Sequence, residues 1–382
     1  MRSLAGLLLL LAQGQAQITA IRAGKLADPE TGATATGQTI LIDGAKITAV
    51  GANLAIPPGA KLIDLSRYTV SPGLFDAHTH LCAKNIIDRD RGDFLIMSLL
   101  DPTGYRAILG VVHAREMLEA GFTTVRDVGN AGNYADIDLR RSIREGLVPG
   151  PTIIAAGRII APFGGQFEQR AENAITTNAE YMFADTRDEL RKAIRENIHY
   201  GAQVIKIVVD SQRYIYSESD IRFIVEEAAF AGVKVAAHCQ TPEGARNAAG
   251  AGVASIEHGW RLTDETVAIA KKNGVVLVGT DLPEKVFLGF GWKEADAKRK
   301  HAERVERLKQ VYKAGLPVVF GTDVMVAMKG ETRGTLAISF IDSYVHAKYP
   351  PQEILQSMTT RAARLLGVEK ERGSIRAGLA AD

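Results

Sequence analysis

The sequence has little of what marks several classes of protein. Its 382 residues include only two cysteines, Cys82 and Cys239, too few for the disulfide framework of a small extracellular module. The 46 basic and 44 acidic side chains leave a formal net charge of +2, so neither a nucleic acid nor a membrane surface is indicated as a partner. Linkers, low-complexity segments and internal repeats are lacking too. With 46% hydrophobic and 24% charged residues, the composition is that of an ordinary globular protein.

The apolar run near the N-terminus is too short to span a membrane. It covers Leu4–Ala12, whereas a membrane-spanning helix needs about 20 residues. A basic start at Met1–Ser3 and small residues at Gly14–Ala16 flank it, which is the pattern of a secretory signal peptide. We therefore predict that residues 1–16 direct the chain to a secreted or periplasmic location. The alternative is an apolar tail on a cytosolic protein.

Residues 17–70 have the pattern of a small β-domain. Short runs of β-branched and aliphatic residues alternate with turns, and Asp43-Gly44 is a strong hairpin motif. The predicted strands are Ile18–Leu26, Thr39–Ile42, Lys46–Val50 and Lys61–Leu65. A hairpin set of this size is too small to fold alone, so we expect it to pack on a larger body.

From Pro72 onwards, strands and helices alternate. The predicted strands are Leu74–Leu81, Thr123–Val128, Thr152–Ala156, Val204–Val209, Lys234–Cys239, Ala254–His258, Val275–Gly279 and Pro317–Gly321. The helices between them include Tyr105–Ala120, Asp188–Tyr200, Ser219–Ala231, Asp264–Asn273 and Ala295–Ala314, with glycine caps at Gly121, Gly201, Gly232, Gly274 and Gly315. Two closing helices are expected at Met325–Ala347 and Pro351–Leu366.

This alternation predicts an α/β fold, namely a (β/α)8 TIM barrel over residues 71–366 beside the small β-domain. Residues 367–382 are expected to return toward the β-domain, where either the chain is truncated or the accessory sheet is minimal. A doubly wound open sheet has the same local pattern, so the residues at the strand ends must distinguish the two folds.

A histidine pair stands at the end of the first predicted barrel strand. His78 and His80 are two residues apart, and side chains two apart on a strand point to the same face. Both can therefore enter the interior of a barrel and bind one metal ion. The pair alone is weak evidence for a metal site. It becomes stronger if other strands also end in residues that can bind metal.

Further residues of metal-binding types stand on or after later strands. Lys206 lies inside the aliphatic strand Val204–Val209, where a bare ammonium is costly to bury. An ion partner, a lowered pKa or a chemical modification would account for it. His238, His258 and Asp323 lie at or just after the ends of three later strands. Because the carboxyl ends of barrel strands form the active-site rim, this distribution predicts one metal site and favours the barrel.

The motifs that carry these residues resemble those of the amidohydrolase superfamily over nearly the whole chain after residue 16. The matching segments are Ser71–His80, Lys206, His238, Ile256–Gly259 and Gly321–Asp323. They look most similar to the branch with imidazolonepropionase-like proteins and metal-dependent Xaa-Pro dipeptidases. The resemblance implies two divalent metal ions, zinc being expected, whose ligands are His78, His80 and Asp323 for the first ion, His238 and His258 for the second, and Lys206, carboxylated by carbon dioxide, for both.

The same resemblance implies that a bridging hydroxide attacks an amide carbon while Asp323 transfers a proton to the leaving nitrogen. Imidazolonepropionase itself has one metal ion and an arginine soon after its histidine pair, whereas Leu81-Cys82-Ala83-Lys84 follows here. We therefore expect a small-molecule hydrolase of dipeptides or N-acyl amino acids. The alternative substrates are cyclic amides, or esters, lactones and organophosphates. A non-catalytic scaffold would be expected to lose metal ligands, whereas all six are present here. The substrate-binding residues stay unknown.

Several residues near the predicted site have two interpretations. Arg126, with Asp127, ends the second strand and could contact substrate or form a structural ion pair. Tyr214 and Tyr216 follow the fourth strand and could donate hydrogen bonds to substrate or only pack. The two cysteines adjoin ligand strands on opposite sides of an eight-stranded ring, so we expect free thiols. Assembly into a homo-oligomer stays open.

Overall fold

The computed structural model describes residues 18–129, 131–167, 170 and 179–382. The predicted signal peptide at residues 1–16 lies outside this part of the chain. The chain divides into two compact units. The first comprises Gly32–Pro72, Ser374–Asp382 and the described part of Met1–Asp28, and the second comprises Pro29–Thr31 and the described part of Gly73–Gly373.

The first unit is a four-stranded sheet in the order β3-β2-β1-β4. Its strands are β1 (Thr19–Ala27), β2 (Thr34–Asp43), β3 (Lys46–Ala52) and β4 (Lys61–Val70). The predicted hairpin joins β2 to β3, where Asp43 pairs with Lys46 and Gly44 has a φ of 56°. The C-terminal segment joins the same unit, because the amide of Ile47 donates to the carbonyl of Leu379 over 2.9 Å.

The second unit alternates strands with helices. Its strands are β5 (Leu74–Thr79), β6 (Phe122–Asp127), β7 (Thr152–Ala155), β8 (Ile159–Ala161), β9 (Tyr181–Phe183), β10 (Val204–Val208), β11 (Lys234–Cys239), β12 (Ser255–His258) and β13 (Val276–Val278). Its helices are α1 (Ile87–Asp90), α2 (Phe94–Leu100), α3 (Thr103–Glu119), α4 (Ala135–Arg144), α5 (Arg187–Tyr200), α6 (Glu218–Ala229), α7 (Pro242–Ala251), α8 (Asp264–Lys272), α9 (Glu284–Gly289), α10 (Glu294–Ala314), α11 (Arg333–Ser339), α12 (Ile341–His346), α13 (Pro351–Ser357) and α14 (Thr360–Leu366).

The strands of the second unit run parallel in two groups, β5-β6-β7 and β13-β12-β11-β10-β8-β9. Main-chain hydrogen bonds connect the groups. The amide of Gln203, before β10, donates to Ala155 of β7 over 2.8 Å, and the amide of Ala77 in β5 donates to Phe320 over 2.9 Å. Val318 forms a parallel bridge with Leu277 of β13. All five residues of β10 are buried, as in parallel strands covered on both faces.

The structure corrects three predicted elements. Pro317–Gly321 is not a regular strand, since a single bridge at Val318 is its only ladder pairing among the described residues and Pro317 has no N–H to donate. Pro351–Leu366 is two helices, because the carbonyls of Ser357 and Met358 at the break accept hydrogen bonds from Phe320 and Phe75.

Met325–Ala347 is likewise not one helix. Only α11 and α12 form within it, after Gly330 turns the chain with a φ of 80°. The five predicted glycine caps all have positive φ, at Gly121, Gly201, Gly232, Gly274 and Gly315.

In the described chain, no single helix has the length and hydropathy to cross a membrane, and the sharply bent pair α2 and α3 meets that test on length and composition only.

Candidate metal centre

The six residues predicted to bind metal lie around one cavity of the second unit. The cavity has a volume of about 460 Å³. Those six lining residues come from the middle of β10, from the ends of β5, β11 and β12 and from the segment after Phe320, and they are His78, His80, Lys206, His238, His258 and Asp323. Parallel strands that end at one rim bring together side chains far apart in sequence.

Three of the six residues are close enough to share one metal ion. His78, His80 and Asp323 each offer a ligand atom, and these atoms lie within 4.8 Å of one another. Oδ1 of Asp323 is 3.2 Å from Nε2 of His80 and 3.7 Å from Nε2 of His78. Both histidines are buried, while the side chain of Asp323 is 19% exposed. The carboxylate therefore faces the cavity.

The hydrogen bonds of His78 and His80 leave one ring nitrogen free on each. Nδ1 of His78 is 2.6 Å from Oε2 of Glu257, and Nδ1 of His80 is 2.7 Å from the carbonyl oxygen of Gly129. Both partners are acceptors, so a proton on each Nδ1 would satisfy them and would leave each Nε2 with its lone pair. Nε2 of His78 is buried without a hydrogen-bond partner among the described atoms. A metal ion would satisfy it.

The other two histidines stand beside Lys206. The ring centroids of His238 and His258 are 4.5 Å apart. Nε2 of His238 is 3.2 Å from the hydroxyl of Ser211, and Nδ1 of His258 is 2.9 Å from the hydroxyl of Thr280. In each ring one nitrogen is thus engaged by a hydroxyl. Nδ1 of His238 also lies 3.5 Å from the amide nitrogen of Gln166, so His238 would have to give up one of these contacts to bind a metal ion.

The electrostatics of the site favour neutral imidazoles. Burial lowers the pKa of His78, His238 and His258 well below the ordinary value, and the charge of Lys206 lowers all three further. The neutral ring is the form that binds metal. Burial also lowers the pKa of Lys206 to about 8, although the carboxylates of Glu257 and Asp323 oppose that shift.

The backbone is strained where the later strands end. His258, Thr280 and Asp323 have φ values of 65°, 48° and 59°, in the left-handed region that residues other than glycine rarely adopt. Such positions persist only where the surroundings hold them, and they cluster at functional sites. Arg307 holds two of these turns by donating to the carbonyls of His258 and Gly279.

Two residues that support the site were missed from the sequence. Glu257 accepts from His78, and Asp76 accepts from the amides of His78 and Thr322. Neighbouring side chains of a strand point to opposite faces. With His258 expected to face the cavity, the alternation gave no reason to expect Glu257 there as well. The residue type alone, a carboxylate inside a predicted barrel strand, was the available indication.

Three of the residues with two interpretations make contacts within the protein. Arg126 forms an ion pair with Glu257 at 2.7 Å, and Asp127 accepts from the amide of Leu81 over 2.6 Å. The hydroxyl of Tyr216 donates to the buried carbonyl of Ala184 over 2.5 Å. Tyr214 is half-exposed and is not among the described residues lining the cavity.

Both cysteines are free and buried, as expected from the sequence. Burial raises the pKa of each thiol well above its ordinary value, so neither is poised as a thiolate.

The parallel strands and the segment after Phe320 bring together four histidines, a buried lysine and a carboxylate, which defines an α/β protein with a candidate metal site. The profile of the amidohydrolase family matches residues 69–382, and the chain belongs to that family. It is a hydrolase that acts on carbon–nitrogen bonds.

Known relatives span nearly the whole chain. Ochratoxinase of Aspergillus niger is 26% identical over 409 residues, covering 98% of this chain and 82% of the relative. Imidazolonepropionase of Fusobacterium nucleatum subsp. nucleatum is 24% identical over 379 residues, covering 90% and 83%. The crystal structure of a Xaa-Pro dipeptidase with methionine bound in its active site has a TM-score of 0.83 at 29% identity, covering 96% of this chain and 93% of that one.

Proposed function

We propose that this chain is an exported, binuclear metal-dependent hydrolase that cleaves an amide C–N bond in dipeptides or N-acyl amino acids. The observation that carries the proposal is the buried Nε2 of His78, which has no partner among the described atoms and lies beside His80 and Asp323. A buried polar atom of this kind needs a ligand.

The scaffold of the proposal is a closed (β/α)8 barrel with a small β-domain. Its support is the main-chain hydrogen bonding that runs through β5, β6, β7, β10, β11, β12 and β13. From β13 it continues through Val318 and Phe320 back to β5. A closed ring of this kind would place every ligand at one rim, whereas an open sheet would separate its edge strands.

The donor set fits two zinc ions. Nε2 of His78, Nε2 of His80 and the Asp323 carboxylate would hold the first ion, since imidazole nitrogen and carboxylate oxygen are its ordinary ligands. His238 and His258 would hold the second. A lysine whose pKa falls to about 8 is about one tenth neutral amine at pH 7, and that amine reacts with carbon dioxide. Carboxylated Lys206 would then join both positions.

When bound, the two metal ions would activate a water molecule and polarise the scissile carbonyl. Asp323 is the residue of this chain suited to move protons, because its carboxylate is partly exposed to the cavity. It would accept a proton from the attacking water and deliver it to the leaving nitrogen. Amide cleavage needs that second transfer, since an unprotonated amine is a poor leaving group.

The wall of the cavity favours a substrate with an apolar or aromatic group next to the amide. Aromatic side chains form much of it, namely Phe94, Trp260, Phe287, Phe290 and Trp292. The amides of Gln166 and Gln240 add hydrogen-bonding capacity. The relatives include a Xaa-Pro dipeptidase and an ochratoxinase, while the similarity to imidazolonepropionase keeps cyclic amides as the second candidate.

The test uses the chain from Gln17 onwards, reconstituted with zinc. Elemental analysis should find two metal ions per chain. A panel of dipeptides and N-acyl amino acids should be hydrolysed fastest where the side chain at the amide is aromatic, with cyclic amides and esters as comparison. One or no metal ion per chain would refute the binuclear site. Turnover of esters or cyclic amides without turnover of linear amides would refute the substrate class.

Export is the remaining part of the proposal. It is supported by the basic start, the apolar run and the small residues of the first 16 positions.

A further inference from the structure

Glu257 lies fully buried among three polar groups. Its Oε2 is 2.6 Å from Nδ1 of His78, and its Oε1 accepts from Arg126 over 2.7 Å and from the hydroxyl of Ser255. The side chain is not exposed at all, and that of Arg126 is only 3% exposed. A buried carboxylate is stable only when it is paired and hydrogen-bonded, and here both oxygens are occupied.

Arg126 ties this carboxylate to the strand that carries the histidine pair. Its Nε donates to the carbonyl of Ala77 over 2.6 Å, and its Nη1 donates to the hydroxyl of Ser255 over 3.0 Å. Ala77 directly precedes His78 in β5. One guanidinium from β6 therefore contacts the backbone of β5 and the carboxylate of β12, which fixes the position of Glu257 relative to the His78 ring.

The ring of His78 stands between two carboxylates. Glu257 approaches its Nδ1 at 2.6 Å, and Asp323 approaches its Nε2 at 3.7 Å. A neutral imidazole has one N–H, so only one of these carboxylates can accept it. A proton on Nε2 would point at Asp323 and remove the lone pair from the cavity. The shorter distance favours a proton on Nδ1 of His78, which then donates to Glu257.

We propose that Glu257, held by Arg126, is a positioning residue that keeps the His78 proton on Nδ1 and so presents the Nε2 lone pair to the cavity. The consequence for metal binding rests on the proposed function. The position of the proton does not, because it is a property of the metal-free chain.

The first measurement is the histidine tautomer in metal-free protein, read from long-range nitrogen–proton spectra of the chain from Gln17 with labelled histidine. His78 should be protonated on Nδ1. Protonation on Nε2 in the wild-type chain would overturn the proposal, and this result does not depend on any variant folding.

The second measurement is zinc affinity in Glu257→Gln, by competition with a chelator. An amide in this place can donate to Nδ1, so the His78 proton should shift toward Nε2 and zinc should bind about 10–100-fold more weakly, as when partners of ligating histidines are removed elsewhere. The tautomer of His258, whose Nδ1 contacts the hydroxyl of Thr280, should be the same as in the wild-type chain.

Glu227→Gln is the matched control, because Glu227 of α6 is a buried carboxylate that pairs with Arg195 at 2.7 Å. It should keep the wild-type tautomer and affinity. If Glu257→Gln also keeps the wild-type tautomer and zinc affinity, Glu257 serves only the ion pair with Arg126, and the proposal is wrong. If wild-type protein binds no zinc, the proposed function fails, while the tautomer still tests Glu257.

Discussion

Gly321→Ala should show how closely the segment before Asp323 approaches the histidine pair. A Cβ at Gly321 would overlap Cγ1 of Val278 and would lie 2.9 Å from Cβ and 3.1 Å from N of His78. Gly321 is not among the glycines with positive φ, so the cost of alanine is steric. The main chain of β5 is part of that contact and cannot rotate away as a flexible side chain can.

The size of the effect follows from the distances. Ordinary van der Waals contact begins at 3.4 Å, so His78 and Gly321 would have to separate by about 0.5 Å, and overpacking of this kind costs about 1–3 kcal/mol of unfolding free energy. His78 and Asp323 would separate with them. Since a misplacement of about 1 Å can reduce catalysis about 100-fold, we expect turnover to fall about 10–100-fold and zinc affinity to fall as well.

The assay combines urea unfolding, zinc competition and turnover of the best amide substrate. Gly104→Ala is the matched control, because a Cβ at Gly104 meets nothing within 4 Å and the residue lies in the first turn of α3. That variant should keep wild-type zinc affinity and turnover and be slightly more stable. If Gly321→Ala matches Gly104→Ala in zinc affinity and turnover, the close approach does not position His78.

Three further predictions concern proton transfer, the second metal ion and export. Asp323→Asn should keep the fold but lose about 100-fold or more in turnover; near-normal turnover at normal metal content would remove its role in proton transfer. Lys206→Ala should reduce bound metal from two ions to one or none, and a short carboxylic acid should partly restore activity; two tightly bound ions in this variant, or an unmodified ammonium in the fully active wild-type, would contradict the carboxylate bridge. In a native host, N-terminal sequencing of the exported protein should begin near Gln17; a cytosolic chain that retains Met1 would argue against export.

Most strands, several helices and the six candidate metal ligands could be predicted because their determinants are local. His78 and His80 share a face by the two-residue period of a strand, and the capping glycines have the left-handed φ that a helix end requires. Lys206 was conspicuous as a cation within aliphatic residues. The family suggested by these motifs is confirmed by the match over residues 69–382.

The other features of the site depend on contacts between strands that are far apart in the sequence. No local pattern shows that Glu257 of β12 meets His78 of β5 and Arg126 of β6, because the pairing depends on how the parallel strands are arranged around the site. The left-handed turns at His258 and Asp323 also break the alternation on which sequence reasoning depends. The sequence by itself determined which side chains could bind metal, since their chemistry is a property of residue type. Only the tertiary structure decided which ring nitrogen faces the cavity, since a hydrogen bond from another strand holds the proton on the other nitrogen.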